Sequence, residues 1–247
     1  MVKTVVQEAL SGLISDLQAT HGDNLASVVL YGSAAAGDHI ELQSDYNLLI
    51  ALKRITPEDL RLAQAPMREW QRLGHPLPVY FTVEELTDAA DVFPIEFNQM
   101  AHARIVLYGK DPFEFARLSD RNLRHQTEYE LRSKLIQLRR LYIPASRSIE
   151  KLCGLMGDSL ASFAALFRAV LLLHGKDAPV AKPDCVRATA QLLKLDFYPF
   201  EKIFEFRAKG AMPSTEKETN DIFAAYLDQI QRVIDDVDHL DTDRHEH

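Results

Sequence analysis

The chain has 247 residues, of which 47% are hydrophobic and 26% charged, a composition typical of a globular protein with material for one or two cores. The formal net charge of −8 argues against a general nucleic-acid-binding protein, which would carry a basic face, although a local site can still hold a small anion. Cys153 and Cys185 lack metal-site spacing and predict reduced thiols. The N-terminus has no apolar signal core, and the apolar stretch 160–173 is interrupted by polar side chains, so we expect a cytoplasmic protein without a membrane span.

The first part of the chain alternates between helical and extended patterns. Apolar residues at helical spacing predict a helix over 3–20, and an apolar run over 25–31 predicts a strand buried on both faces. The remaining predicted elements are a strand over 45–52, a helix over 56–73, a strand over 77–82, a helix over 84–90 and a strand over 104–108. Mixed helices and strands of this kind predict one α/β layer structure.

Beyond residue 110 the strand patterns disappear and long helical patterns replace them. The predicted helices are one that ends at Pro144, an apolar one over 158–174 at the centre of a bundle, and three more over 183–194, 198–208 and 215–239. We therefore predict an α+β chain made of a mixed sheet with flanking helices over 1–110, an all-α bundle over 111–242, and a flexible tail over 243–247.

The most specific stretch of the sequence is residues 28–52. It reads Val-Val-Leu-Tyr-Gly-Ser at 28–33 and, after a short connection, Asp-Tyr-Asn-Leu-Leu-Ile at 45–50. Asp45 and Asn47 are two residues apart in a predicted strand, so their side chains face the same side. This layout resembles the nucleotidyltransferase (polymerase-beta-like) superfamily, whose pattern is a hydrophobic strand, Gly-Ser, and Asp-x-Asp within an apolar strand. The order of the two parts resembles aminoglycoside nucleotidyltransferases and minimal nucleotidyltransferases with a HEPN-like helical domain.

The resemblance implies a site for Mg²⁺ and ATP or another nucleoside triphosphate. Gly32 and Ser33 would hold phosphate, because glycine lets the backbone approach closely and the serine hydroxyl can bond a phosphate oxygen. Asp45 would be the catalytic metal ligand, but Asn47 stands where the family has its second carboxylate and offers only a neutral, weak ligand. The strand 77–82, which would carry the third carboxylate, contains no acid, and Glu96 is a poor substitute base.

Three functions follow from these residues. The favoured one is a nucleotidyltransferase fold with a degenerate catalytic site that binds a nucleotide or phosphate ligand or serves as a protein partner. The first alternative is an active Mg-ATP-dependent nucleotidyltransferase that adenylylates a small molecule or a protein. By analogy with the family, the expected protein partner includes a second copy of the chain in a homodimer. We expect no membrane partner and no nucleic-acid partner.

The second alternative is a HEPN-like ribonuclease in the helical part. Arg168 and His174 lie in the apolar helix at the spacing of the Arg-x(4–6)-His motif of that family. The motif is short, and a histidine in the last turn also suits the helix dipole. Arg168 requires a partner in such an apolar stretch, and we expect a carboxylate.

Overall fold

The computed structural model describes residues 2–32, 34–35, 46–88, 91–114, 119–179, 181–210 and 212–241. The chain forms two compact units, Met1–Leu118 and Ser119–His247. The domain boundary after residue 110 stays a prediction, and the predicted tail, 243–247, lies outside the described residues.

The first unit is a four-stranded mixed sheet with helices on both faces. Its elements in chain order are α1 (Val2–His21), β1 (Leu25–Tyr31), β2 (Asn47–Leu52), α2 (Pro57–Leu62), α3 (Gln64–Arg72), β3 (Val79–Thr82), α4 (Val83–Asp88), α5 (Pro94–His102) and β4 (Arg104–Gly109). The strand order is β3-β2-β1-β4. β1 is antiparallel to both neighbours, and β2 is parallel to β3. The predicted α+β class is confirmed for this unit.

Successive residues of the two central strands point to opposite faces, and both faces are buried. Ile50 packs in the core that faces α1 and α3, together with Trp70. Leu49 packs in the core that faces α4 and α5, together with Phe97. β1 is likewise buried on both sides, as its continuous apolar run predicts.

Local chemistry explains where the helices of this unit begin and end. Thr56 caps α2 in a capping box with Asp59, as the sequence predicts. The single helix expected over 56–73 is wrong, because the chain breaks at Ala63 into α2 and α3. Pro66 has no N–H to donate to the Leu62 carbonyl, so the ladder of hydrogen bonds cannot continue through this point.

The second unit is an all-helical bundle. Its helices are α6 (Asp120–Ala145), α7 (Ile149–Leu173), α8 (Lys182–Leu192), α9 (Tyr198–Lys209) and α10 (Glu216–His239). α7 begins well before the predicted start at 158, because Ser148 caps it by accepting a hydrogen bond from the Lys151 amide. By length and composition α7 alone among the described helices is apolar enough to cross a membrane, but more than half of its most apolar window is buried within the protein. That is the pattern of a core helix.

Some buried polar groups of the bundle have partners on neighbouring elements, whereas the buried hydroxyls of Thr127 and Thr189 have none among the described residues. The hydroxyl of the fully buried Tyr226 lies 3.1 Å from Ser159 Oγ, and burial raises its pKa. Both cysteine thiols are free and buried. Cys185 donates to the Pro179 carbonyl at 2.6 Å, which helps to fix the connection between α7 and α8.

Candidate functional site

Three strands bring three polar side chains into one row at an end of the sheet. Tyr31, the last residue of β1, pairs with Asn47 on β2 and with Arg104 on β4. Paired residues of neighbouring strands project from the same face. That face is the one against α4 and α5, where Tyr31 packs beside the buried Leu49. The row therefore presents an amide, a phenol and a guanidinium, and burial raises the pKa of the Tyr31 hydroxyl.

The turn after β1 lies directly beside Asn47. Gly32 has φ +80°, and a Cβ placed on it would lie 3.5 Å from Asn47 Nδ2. Its amide donates to the Ala103 carbonyl and its carbonyl accepts from the Ala35 amide, both at 3.0 Å. The Gly32 amide is thus already used by the backbone before β4. A phosphate at this turn would have to be bound by other groups, with Gly32 supplying the close approach.

Arg104, at the other end of the row, is committed to structural contacts. Its guanidinium forms an ion pair with Asp111 at 2.7 Å, donates to the Ala101 carbonyl, and lies 5.7 Å from the Phe113 ring centre. The hydrogen bonds from Arg104 lower the pKa of the Asp111 carboxyl. Sequence reasoning missed this pair, because an arginine at a strand start and an aspartate after a glycine turn carry no pairing signal of their own.

The structure brings together some of the predicted site residues. Gly32 and Asn47 are neighbours, and β2 begins at Asn47. Ser33 and Asp45 lie outside the described residues. Glu96 is an exposed residue in the first turn of α5.

The strand next to β2 offers no acid to this end of the sheet. β3 reads Val-Tyr-Phe-Thr, in agreement with the sequence. The carboxylate that follows it, Glu85, accepts from the Thr82 amide at 2.7 Å, while the Glu85 amide donates to Thr82 Oγ1 at 3.0 Å. Glu85 is therefore committed to the capping box at the start of α4, with Thr82 as the N-cap.

A magnesium ion at this end of the sheet would need suitable ligands. Mg²⁺ favours charged oxygen ligands in octahedral geometry. Asn47 supplies one neutral carbonyl oxygen, and nowhere in the described part of the chain do three or more His, Cys, Asp or Glu side chains come together in a group that could hold a metal. Of the two predicted metal ligands the structure describes Asn47 alone, which brings no negative charge to a magnesium ion, and Asp45 lies outside the described residues.

In the helical unit, Arg168 and His174 have separate partners. Arg168 donates to the Pro179 carbonyl at 2.5 Å, so the expected carboxylate partner is wrong. The connection after α7 brings that carbonyl back against the helix, where it accepts a hydrogen bond from Nη1 of the guanidinium. His174, the C-cap of α7, lies 2.7 Å from Asp236. The ribonuclease motif stays a prediction without a shared site to support it.

Comparison with known proteins gives a similar fold. No protein-family profile matches the chain, and no curated protein matches it in sequence. Ten chains of solved structures match it in three dimensions. One of them is a spectinomycin adenyltransferase from Enterococcus faecialis, determined with ATP and spectinomycin. The TM-score is 0.57 at 12% identity, and the alignment covers 92% of this chain and 98% of that one. The chain therefore shares the fold of this adenyltransferase, a mixed sheet followed by helices.

Proposed function

We propose that this nucleotidyltransferase-fold protein binds a nucleoside triphosphate at the Gly32 turn and has lost efficient nucleotidyl transfer. The observation that carries the proposal is Asn47, a neutral amide beside a glycine turn of positive φ. The structural neighbour was determined with ATP and a small molecule, which supports a nucleotide as the ligand of this fold.

The loss of transfer follows from charge. Replacing a carboxylate by an amide removes one negative charge next to a dication, and a contact pair of charges at an effective dielectric of about 20 is worth several kcal/mol before desolvation. The neighbouring strand β3 has no acid to serve as a general base. Loss of such a base costs roughly 10²–10⁴-fold in rate. The two deficits act on the same step, so turnover should be very slow.

Nucleotide binding can persist after the carboxylate is replaced, because an amide donates hydrogen bonds to phosphate and a carboxylate cannot. The Asn47 side chain carries two N–H donors, and its Nδ2 is the atom nearest the face of Gly32. A phosphate oxygen at the turn would accept from that nitrogen, whereas an aspartate there would repel it unless a cation lay between them. Ser33 remains the expected hydroxyl donor. The triphosphate would then bind without needing magnesium.

Calorimetry of ATP binding, in excess EDTA and in excess Mg²⁺, tests the proposal. We expect the affinity of the native protein for ATP in EDTA to differ from its affinity in Mg²⁺ by less than about threefold. Asn47→Asp should bind at least about tenfold more weakly in EDTA and recover in Mg²⁺, because a charge-assisted hydrogen bond becomes a repulsion. Asn122→Asp, on α6 in the other unit, is the matched control and should leave both affinities unchanged.

Two results would contradict the proposal. One is binding by native protein only when magnesium is present. The other is adenylylation of a drug, a protein or the chain itself at several turnovers per minute with Mg-ATP. In that second case Asp45→Ala should abolish turnover, and the active-enzyme alternative would replace this proposal.

A further inference from the structure

Three helices of the second unit surround an open cavity of about 480 Å³. Its floor is apolar and comes from α7 and α9. Leu160, Ala161 and Ala164 line it from α7, and Phe204 and Ala208 from α9. The alanines create the space, because larger side chains at these helix positions would fill it. Cavities of this size fall within the range of small-molecule sites, about 300–1,000 Å³.

The rim of this cavity is basic. Lys182, Arg187 and Arg207 line it, and none of its described lining residues is acidic. This is a local excess of positive charge in a chain of net charge −8. Such a rim favours an anionic ligand through charge complementarity.

Two of the three cations are held in place by the protein. The stem of Arg207 lies over Gly157, where a Cβ would be 3.1 Å from Arg207 Cδ, and its guanidinium donates to the Gly157 carbonyl at 3.1 Å. Arg187 lies 5.6 Å from the Phe197 ring centre and 3.0 Å from Asp184 in an ion pair exposed to solvent. An exposed pair of this kind is weak and leaves Arg187 able to meet a ligand. Pre-positioned cations reduce the entropy cost of binding.

We propose that this cavity binds a free monocarboxylate with an aliphatic body, the chemistry of a medium-chain fatty acid. The apolar floor would bury the aliphatic body, and removing its CH₂ groups from water favours binding. The carboxylate would meet the rim, where a guanidinium fork can bind both of its oxygens. A single negative charge matches a site whose lining is mostly apolar. This proposal does not depend on the nucleotide proposal, because all its residues lie in the second unit.

Titration calorimetry of the full chain with decanoate tests this proposal, with decanol as the uncharged probe. We expect decanoate to bind in the micromolar range and decanol at least tenfold more weakly. The double variant Lys182→Gln/Arg187→Gln should weaken decanoate binding about tenfold and leave decanol unchanged. Lys217→Gln/Arg232→Gln, two charge removals on α10, is the matched control and should bind decanoate like the native chain.

A second variant tests the cavity itself. Ala208→Phe places a large ring at an exposed helix position on the cavity wall, and it should abolish decanoate binding while far-ultraviolet circular dichroism and the urea midpoint stay native. Ala224→Phe, at an exposed position on α10, is its control and should bind normally. These paired variants separate a filled cavity from a general effect of surface aromatics.

Each of the following outcomes would overturn the proposal. Decanoate and decanol could bind with equal affinity, which would show that the negative charge of the carboxylate does not contribute to binding. Decanoate binding could be absent up to millimolar concentration or unaffected by Ala208→Phe. Vesicles of phosphatidylglycerol could bind the chain while soluble decanoate does not, which would make the ligand a membrane surface.

Discussion

The two faces of the sheet in the first unit differ in how far their polar side chains are buried. The face against α1 and α3 encloses His21, 8% exposed, and neither of its ring nitrogens nor the Tyr80 hydroxyl has a hydrogen-bond partner in the described structure. The face against α4 and α5 ends in the row of Asn47, Tyr31 and Arg104, which is partly open. Buried polar groups without partners cost stability, whereas groups at an open margin can meet a ligand. One face therefore contains buried polar groups that cost stability, and the other carries the candidate chemistry.

The largest expected effect tests whether both faces are equally well packed. Leu49 and Ile50 are adjacent, both 0% exposed, and point to opposite faces. We expect Leu49→Ala and Ile50→Ala each to lower the free energy of unfolding by about 2–5 kcal/mol, measured by urea denaturation. A loss below about 1 kcal/mol for Leu49→Ala alone would mean that the face with the polar row is loosely packed.

A smaller effect concerns the backbone conformation of the Gly32 turn, which contributes to stability as well as to the proposed ligand binding. Because Gly32 has φ +80°, Gly32→Ala should cost about 1–2 kcal/mol of stability and should weaken ATP binding. Gly12→Ala, in the exposed interior of α1 with open space around it, should instead add up to about 1 kcal/mol. Equal stability of the two variants would show that the turn does not hold a left-handed glycine.

The smallest effect is the pH dependence of stability that arises on the sheet face against α1 and α3. Burial lowers the pKa of His21 below 6.5, and the nearby Asp59 opposes this shift. The unfolded chain therefore binds a proton at a pH where the folded chain does not, and stability should fall as pH drops below 6.5. Tyr80, whose ring packs edge-on against His21, has a pKa of about 12 and stays neutral throughout.

Urea denaturation between about pH 7.5 and pH 5.5 measures this pH dependence. His21→Leu should show a flatter profile than the native protein over this interval, because the group that takes up the proton on unfolding is gone. His125→Gln, an exposed histidine on α6, should retain the native slope. An unchanged slope in His21→Leu would assign the effect to other groups.

Sequence patterns predicted the fold well where periodicity is strong. The apolar run of β1, the cap at Thr56 and the central position of α7 follow from local chemistry and were recovered in the structure. The break at Ala63 was missed, because the helical apolar pattern continues through Pro66. The start of α7 was missed for a different reason: residues 149–157 are less apolar than the rest of the helix, which begins at the Ser148 cap.

The candidate site was predictable only in part. The neighbouring positions of Gly32 and Asn47 follow from a strand, a turn and a returning strand. The use of the Gly32 amide by Ala103 depends on a contact distant in sequence, and the pairing of Arg104 with Asp111, seven residues apart, depends on how the chain turns after β4. No local pattern encodes such contacts in a single sequence. The same holds for Arg168, where the need for a partner was evident but the partner was a backbone carbonyl.

The positions of the two buried thiols have a practical consequence. Cys153 and Cys185 are the only cysteines of the chain, and both belong to the helical unit. Burial raises the pKa of each thiol, so neither reacts readily while the bundle is closed. Their rate of alkylation by iodoacetamide therefore reports opening of the helical bundle alone. The same measurement on variants of the sheet would show whether a change in the first unit alters the opening rate of the second.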